Sequence, residues 1–497
     1  MAGIGFELKK LFRSTGVFAV LKAYGYTGLV TAGPMLLGII FLLCISTMGQ
    51  YFGLVKNDQD LLVAMITYAL LGSLLLTSLF SMVLTRYIAD MLYEERTECI
   101  LPSLEGVLCI ILPVGGLLFG IFLCFAGLPL FLSILEFFFF TELLVVWMQM
   151  DYLSALKDYK GILLGYVIAI LVEALTAVVL SLLFETSLSI LLISVLCGYG
   201  VMMLFHCNLL YRYFINSKTE SFQFLNWFDE YRDLSIIGFC VNFGLFSHLV
   251  IGWFSVIGEK IHGLFYGAPQ YDIPALMAFL TILITTINFV ASVEVHFYPK
   301  YRKYYDLFNG KGSILEIKKA EEEMLTVLDH EITYAARRQF YGTALMLSLG
   351  LLILNKLPLG FNSLMNGYFR ILCIGYGIYA IGNVMMLILL YFSNYKGARN
   401  AAIGFAVSTT LLSLLSLFLD VKYYGFAFSM GSMVYYLLSF SELQSFTRRL
   451  HYHILSRQPM IYVQKTGLGR ALNVRLTELE DQFKNKIFSM PKKGSMK

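Results

Sequence analysis

The chain has 497 residues, of which 58% are hydrophobic and only 14% charged, against about 25% charged in an average soluble domain. Its formal net charge of +4 gives no sign of nucleic-acid binding, and its mean hydropathy of +0.72 rules out an ordinary soluble enzyme. The composition calls for a bilayer as solvent.

A helix rising ~1.5 Å per residue needs about 20 apolar residues to cross the hydrocarbon layer. Stretches of that length recur along the chain. The predicted spans are Ala23–Met48, Leu61–Thr85, Leu104–Ala126, Pro129–Tyr152, Gly161–Phe184 and Ser187–Leu210. After a polar stretch, Asn216–Asp233, come Leu234–Ile257, Pro274–Phe297, Tyr341–Leu359, Tyr368–Phe392, Ala401–Leu419 and Tyr423–Phe446. Their unbroken apolar character indicates helices, since barrel strands alternate with period two. The expectation is an all-α polytopic membrane protein of about twelve transmembrane helices, six on each side of the polar stretch. Its parts are a cytoplasmic segment 1–22, a first bundle 23–215, a linker 216–233, a second bundle 234–446 and a tail 447–497.

An even number of spans puts both termini on one side. Of the 37 Lys and Arg residues, only Lys56, Lys260, Lys356, Arg370 and Lys422 fall in loops on the opposite side. The positive-inside rule therefore makes both termini cytoplasmic, in a multi-pass protein of the cytoplasmic membrane. The first apolar run is too long and starts too late for a cleavable signal peptide. Cys44, Cys99, Cys109, Cys124, Cys197, Cys207, Cys240 and Cys373 all lie in or beside spans and read as small packing residues without disulfides.

Catalytic chemistry is not indicated. Asn309-Gly310-Lys311-Gly312-Ser313 lacks the spacing of a phosphate loop and reads as a turn. His451 and His453 are two apart, so they do not share a helix face at metal-ligand spacing. No cofactor or metal is expected, and the chain is not read as an enzyme. Transport, channel and scaffold roles remain.

Polar stripes on apolar helices carry the functional expectation. On the eighth span, Thr281, Thr285, Asn288, Ser292 and His296 fall within ~80° of one another at about 100° per residue. The twelfth repeats the pattern with Ser429, Ser432, Tyr436 and Ser439, and the first with Tyr24, Thr27 and Thr31 before Pro34. Neutral hydroxyls and amides suit a hydrated path for a hydroxyl-rich solute; the same residues also serve as contacts between packed helices. Pro34 would kink the first span, which suits a gating element. Glu136 and Glu142 on the fourth span, with Gln149 on the face of Glu142, and Glu173 on the fifth are intramembrane carboxylates. Each is a functional candidate because a charge at that depth is costly. Glu294 lies near the inner end of the eighth span and reaches the interface by snorkelling.

The loop Lys260–Pro274 carries Phe265, Tyr266 and Tyr271, read either as an interfacial aromatic belt or as a surface for sugar rings. Two cytoplasmic helices are predicted. One covers Ile314–Ala335, with Ile317, Met324, Leu328 and Ala335 on one face; the other has Leu472, Leu476, Leu479, Phe483 and Ile487. Both fit membrane lipid, a soluble partner or one another, and their length beyond what topology needs favours a partner.

Met-Ala-Gly-Ile-Gly-Phe-Glu-Leu-Lys-Lys-Leu at Met1–Leu11 closely resembles the opening of the PelG family. Leu21-Lys22-Ala23-Tyr24-Gly25-Tyr26, running into Gly33-Pro34, resembles it too. PelG proteins are inner-membrane transporters of the Pel exopolysaccharide, related to the multidrug/oligosaccharidyl-lipid/polysaccharide (MOP) exporters. The resemblance implies two six-helix bundles around a central cavity and export of an N-acetylhexosamine-rich polysaccharide during biofilm formation. It also implies a cytosolic glycosyltransferase partner (PelF-like), membrane partners (PelD-like and PelE-like) and control by cyclic di-GMP through the PelD-like one. Competing readings are an ion-coupled exchanger for a drug or lipid-linked oligosaccharide, with Glu142 and Glu173 as coupling sites, and a scaffold that anchors a synthase without transporting.

Overall fold

The structure, a computed structural model, describes residues 33, 36–156, 158–214, 219–310, 312–356, 360–456 and 467–489. Its first half comprises α1 (Leu36–Tyr51), α2 (Lys56–Tyr93), α3 (Ile100–Phe125), α4 (Leu130–Leu156), α5 (Tyr159–Leu183) and α6 (Leu188–Tyr213). A short α7 (Leu225–Glu230) leads into α8 (Arg232–Trp253), followed by a two-stranded antiparallel hairpin, β1 (Glu259–His262) and β2 (Phe265–Gly267). Then come α9 (Pro269–Phe279), α10 (Ile282–Ser292), a π-helical turn (Val293–Phe297) and α11 (Tyr298–Asn309). The chain continues with α12 (Ile314–Leu345), a second π-helical turn (Met346–Gly350) and α13 (Leu351–Leu354). Last are α14 (Ser363–Tyr391), α15 (Tyr395–Ser416), α16 (Tyr424–Arg448), α17 (Leu450–Ser456) and α18 (Leu468–Ser489).

Among the described residues, nine helices are long and apolar enough to cross a membrane. Many side chains on them are large, apolar and outward-facing, such as Leu117, Leu171, Leu182, Leu204 and Leu411. In water such a surface is untenable; against lipid tails it is the expected one.

Buried side chains form two clusters, one running from Phe41 to Leu225 and the other from Leu234 to Leu450. Each half lends one residue to the other's core. Phe265 of the hairpin belongs to the first cluster, and Val83 of α2 to the second. In the first half α6 packs on α4 and α5; in the second, α16 packs on α14 and α15; α2 and α8 meet between the halves.

A local repeat relates the halves. Asp158-Tyr159-Lys160-Gly161 opens α5 and Asn394-Tyr395-Lys396-Gly397 opens α15. The two cap residues share a backbone conformation, φ −83° and ψ 63° at Asp158 and φ −82° and ψ 64° at Asn394. Each side chain accepts from the glycine N–H three residues on, at 2.9 Å and 3.4 Å. Both are Asx N-caps, satisfying a donor that the helix leaves orphaned. A Cβ at Gly161 would lie 2.4 Å from Asp158 Oδ2, and one at Gly397 2.6 Å from Asn394 Nδ2, so a larger residue would push the cap side chain aside.

Three expectations change. The span expected as Pro274–Phe297 begins at Pro269 and is interrupted between α9 and α10, at Leu280 and Thr281. The helix expected at Ile314–Ala335 and the span expected at Tyr341–Leu359 are one rod. α12 runs 32 residues from a Ser313–Glu316 capping box and continues through the π turn into α13. No Pro or Gly between Ala335 and Tyr341 stops it, and at ~1.5 Å per residue the rod is about twice the thickness of the hydrocarbon layer. The charged first part of α12 therefore continues the axis of the apolar helix that follows it. Lastly, the aromatic loop is a folded hairpin with Phe265 and Tyr271 buried, so neither ring is free to stack on a sugar in this state.

Candidate functional site

The stripe on the eighth span is buried against α12. Thr281, Thr285, Asn288 and Ser292 are each at most 9% exposed, whereas the His296 side chain is 60% exposed. α12 meets them with side chains of its own. Gln339 accepts from the Thr285 hydroxyl through Oε1, and its Nε2 donates to the Thr281 carbonyl at 3.2 Å and to Thr343 Oγ1 at 3.1 Å. Arg338 donates to Asn288 Oδ1, and the Arg338 guanidinium lies over the Tyr334 ring, 4.4 Å from its centroid. Ser292 donates to Glu331, whose other oxygen lies 3.1 Å from His296 Nδ1 and 3.6 Å from His330 Nδ1. The result is a polar zipper about four helical turns long. At bilayer depth each partner left unpaired would cost several kcal/mol.

Gln339, Arg338 and Glu331 are not among the residues singled out from the sequence, because Glu331 falls in the predicted cytoplasmic helix and Arg338 and Gln339 fall between that helix and the next predicted span. Their signal was present: Glu331, Ala335, Gln339 and Gly342 recur at helical spacing and are all buried. Gly342 lets Ile284 approach closely, since a Cβ there would lie 2.3 Å from Ile284 Cδ1.

The stripe on α16 is buried as well. Ser429 donates to the Ile371 carbonyl at 2.9 Å and sits against Gly375 of α14. Ser432 and Ser439 are fully buried, and their hydroxyls have no hydrogen-bond partner among the described residues. Tyr436 is half-buried, with its ring stacked on Phe440 at 6.2 Å; its backbone lies against Gly382. The first-span candidates Tyr24, Thr27, Thr31 and Pro34 lie outside the described residues, as does the side chain of Glu294.

The three carboxylates are in the first half. Glu136 and Glu173 are fully buried, and neither carboxylate has a hydrogen-bond partner among the described residues. Glu142 is half-buried with Oε2 unpartnered, and Gly200 faces its Oε1. Gln149, seven residues beyond Glu142, is 3% exposed with an unpartnered Oε1. These groups are not brought together with the two described stripes, on α10 and α16, which belong to the second half. The second half instead buries His248 between the hydroxyls of Tyr271 (2.9 Å) and Tyr376 (3.4 Å).

On the face that carries most of the Lys and Arg residues, α11 and α12 form an antiparallel pair. Glu323 on α12 holds Lys300 at 2.9 Å and Lys303 at 3.2 Å, and these cations keep its carboxyl below the usual carboxylate range. His451 of α17 braces the pair through Tyr304 (3.1 Å) and Glu321 (2.5 Å). The tail helix α18 crosses to α7. Asp229 accepts from the N–H groups of Gly469 (3.0 Å) and Arg470 (2.8 Å), Glu480 accepts from Ser221 at 3.0 Å, and Leu476 packs on the first cluster. Leu468, Leu472 and Leu479 remain exposed.

Comparison with solved structures identifies the architecture. An inward-facing multidrug resistance MATE family transporter of the MOP superfamily superposes with a TM-score of 0.56 at 12% identity, over 83% of this chain and 95% of its own. A MOP superfamily transporter from Pyrococcus furiosus gives 0.54 at 12% identity, over 86% and 96%. The bent form of the Vibrio cholerae MATE transporter VcmN gives 0.58 at 12% identity, over 90% and 99%. At such identities the likeness is one of fold. No curated protein sequence matches the chain. The family profile "PelG: Putative exopolysaccharide Exporter (EPS-E)" matches residues 1–455, and the chain belongs to the PelG family, built on the fold of the MOP transporters.

Proposed function

We propose that the protein exports an exopolysaccharide across the cytoplasmic membrane, with both termini cytoplasmic and twelve spans in two six-helix bundles. The observation that carries this reading is the family match over residues 1–455 on a transporter fold. The polymer is Pel-like and rich in N-acetylhexosamine, is made by a cytosolic glycosyltransferase and serves a biofilm matrix. The neutral stripes Thr281–Ser292 and Ser429–Ser439 become path-lining only if α10 parts from α12 and α16 from α14; in the present state they join helices. The test is direct. Membrane vesicles containing this protein and its synthase, supplied with sugar nucleotide, should sequester polymer, and vesicles lacking the protein should not. Equal polymer in both would overturn the reading.

A second reading is ion-coupled exchange, favoured by the buried, unpartnered carboxylates of Glu136 and Glu173. It requires export to stop when the proton or sodium gradient is collapsed. Polymer growth as the driving force requires export to persist.

A further inference from the structure

The hairpin Glu259–Gly267 is fixed to one half of the molecule and docked on the other. Its base is tied to the second half through Asp272: both carboxylate oxygens accept from Trp253 Nε1 (3.1 and 2.9 Å), and one also accepts from the Ala268 N–H at 3.0 Å. Its second strand meets the first half. The Tyr68 hydroxyl of α2 donates to the Tyr266 carbonyl and accepts from the Tyr266 N–H, both at 3.1 Å. This reciprocal pair ends the strand edge much as a neighbouring strand would. The Tyr68 ring lies between Trp253 (4.7 Å, 17°) and Phe122 (5.7 Å, 21°), with Phe265 tilted against it at 5.0 Å.

The hairpin turn locks on the loop after α3. Leu264 N–H donates to the Ala126 carbonyl at 3.3 Å, and His262 Nε2 lies 3.1 Å from the Gly127 carbonyl. Gly263 and Gly127 both have positive φ, +54° and +75°, and a Cβ at Gly263 would stand 1.7 Å from the Ala126 oxygen. The turn approaches so closely that only glycine is accommodated.

We infer that this hairpin is a releasable latch that closes the two halves against each other on the face opposite the Arg- and Lys-rich loops, with Tyr68 as its catch. The attachment is asymmetric in the way a latch requires. The base is held by the Asp272 carboxyl within its own half. The second strand and the turn are held across the seam by hydrogen bonds and stacked rings that can separate without breaking an ion pair. Phe265, buried in the core of the opposite half, would leave that core when the halves part.

Two measurements on the full chain, with its native cysteines replaced, test the latch. The first needs no substrate. Ala126→Cys places a thiol beneath the hairpin, at a residue with no exposed surface. In lipid nanodiscs its reaction with a maleimide should be slow, and Tyr68→Phe, which keeps the rings but deletes the two hydrogen bonds, should accelerate it about five-fold or more. The second bridges His262→Cys to Leu128→Cys with a short bis-thiosulfonate. Export should stop and should return on reduction. Unchanged labelling in Tyr68→Phe, or normal export by the bridged chain, would show a permanent brace and overturn the proposal. Only this second arm rests on the export reading. A chain that exports nothing even when reduced defeats that reading, and the labelling rates then decide the latch by themselves.

Discussion

His296 places Nδ1 3.1 Å from Oε1 of Glu331, joining the C-terminal end of the eighth span to the middle of α12. With Ser292 on the other Glu331 oxygen and Gln339 two turns further along α12, the pair marks one end of a continuous polar seam. The seam couples a helix that spans the membrane to one that extends well beyond it, so α10 and α12 move together unless the seam opens.

Gln339 is the centre of that seam. Gln339→Leu leaves Thr285 and the Thr281 carbonyl unpaired and should cost about 1–3 kcal/mol, read as a lower melting temperature in detergent. Adding Thr285→Val should restore part of the loss, because the two residues are coupled. Thiols introduced at Thr285, Asn288 and Ser292 should be as protected as one at Leu283 in the intact chain and become reactive with Gln339→Leu. Reactivity in the intact chain would show that the seam is open at rest.

Gly161→Ala and Gly397→Ala should each destabilise the protein by about 1–3 kcal/mol through overpacking against the cap side chain. Asp158→Gly in the first background and Asn394→Gly in the second should relieve the contact with the cap side chain but not restore the cap, and Leu209 Cδ1, 2.7 Å from the added Cβ, keeps Gly161→Ala crowded. Thermal unfolding of the single and paired variants checks this. A neutral Gly397→Ala beside a costly Gly161→Ala would show that the repeated caps are not equivalent.

Topology can be read by impermeant thiol reagents on intact cells. Sites introduced near Lys10, Ser313 and Lys484 should stay unmodified, and one near Gln270 should react. Strong labelling at Ser313 would invert the assignment.

The carboxylates separate the two driving forces. If polymer growth drives export, Glu136→Gln, Glu142→Gln and Glu173→Gln should each leave secreted polymer near normal at unchanged protein level. If protonation is required, removing the titrating group while keeping its size should abolish export. The mostly neutral composition of the stripes favours the first outcome.

Glu323 sets a modest pH dependence on the face that carries α11 and α12. Lys300 and Lys303 hold its carboxyl below the ordinary range. Its contribution is therefore complete above the unfolded-state value of about 4.3 and is lost as pH falls through the lower folded-state value. Glu323→Gln should flatten the acid limb of a stability–pH profile and leave its slope above about pH 6 unchanged. A change confined to neutral pH would assign the effect to another group.

Apolar length and charge placement made the membrane class and most of the spans legible in the sequence. A run such as Leu104–Ala126 has one low-energy solution in lipid, a helix that satisfies its own backbone. The cap repeat of Asp158 and Asn394 was also there to be found, as two Asx-Tyr-Lys-Gly strings. Periodicity placed Thr281, Thr285, Asn288, Ser292 and His296 on one face. What that face meets depends on residues far along the chain, Glu331, Arg338 and Gln339, and on α12 running unbroken from its charged start into the apolar stretch that follows. Hydropathy could not reveal that continuity, because charged and apolar halves of one rod score as a loop followed by a span. The hairpin shows the same division. Gly263, Phe265 and Tyr266 are visible in the sequence, but their docking on Tyr68, Phe122 and Ala126 arises only when two halves nearly 200 residues apart come together. Local pattern fixes what each helix exposes. The partner of a polar face is chosen by which buried donors and acceptors of distant segments can satisfy one another: Thr285, Asn288 and Ser292 find theirs on α12, whereas Ser432 and Ser439 find none among the described residues.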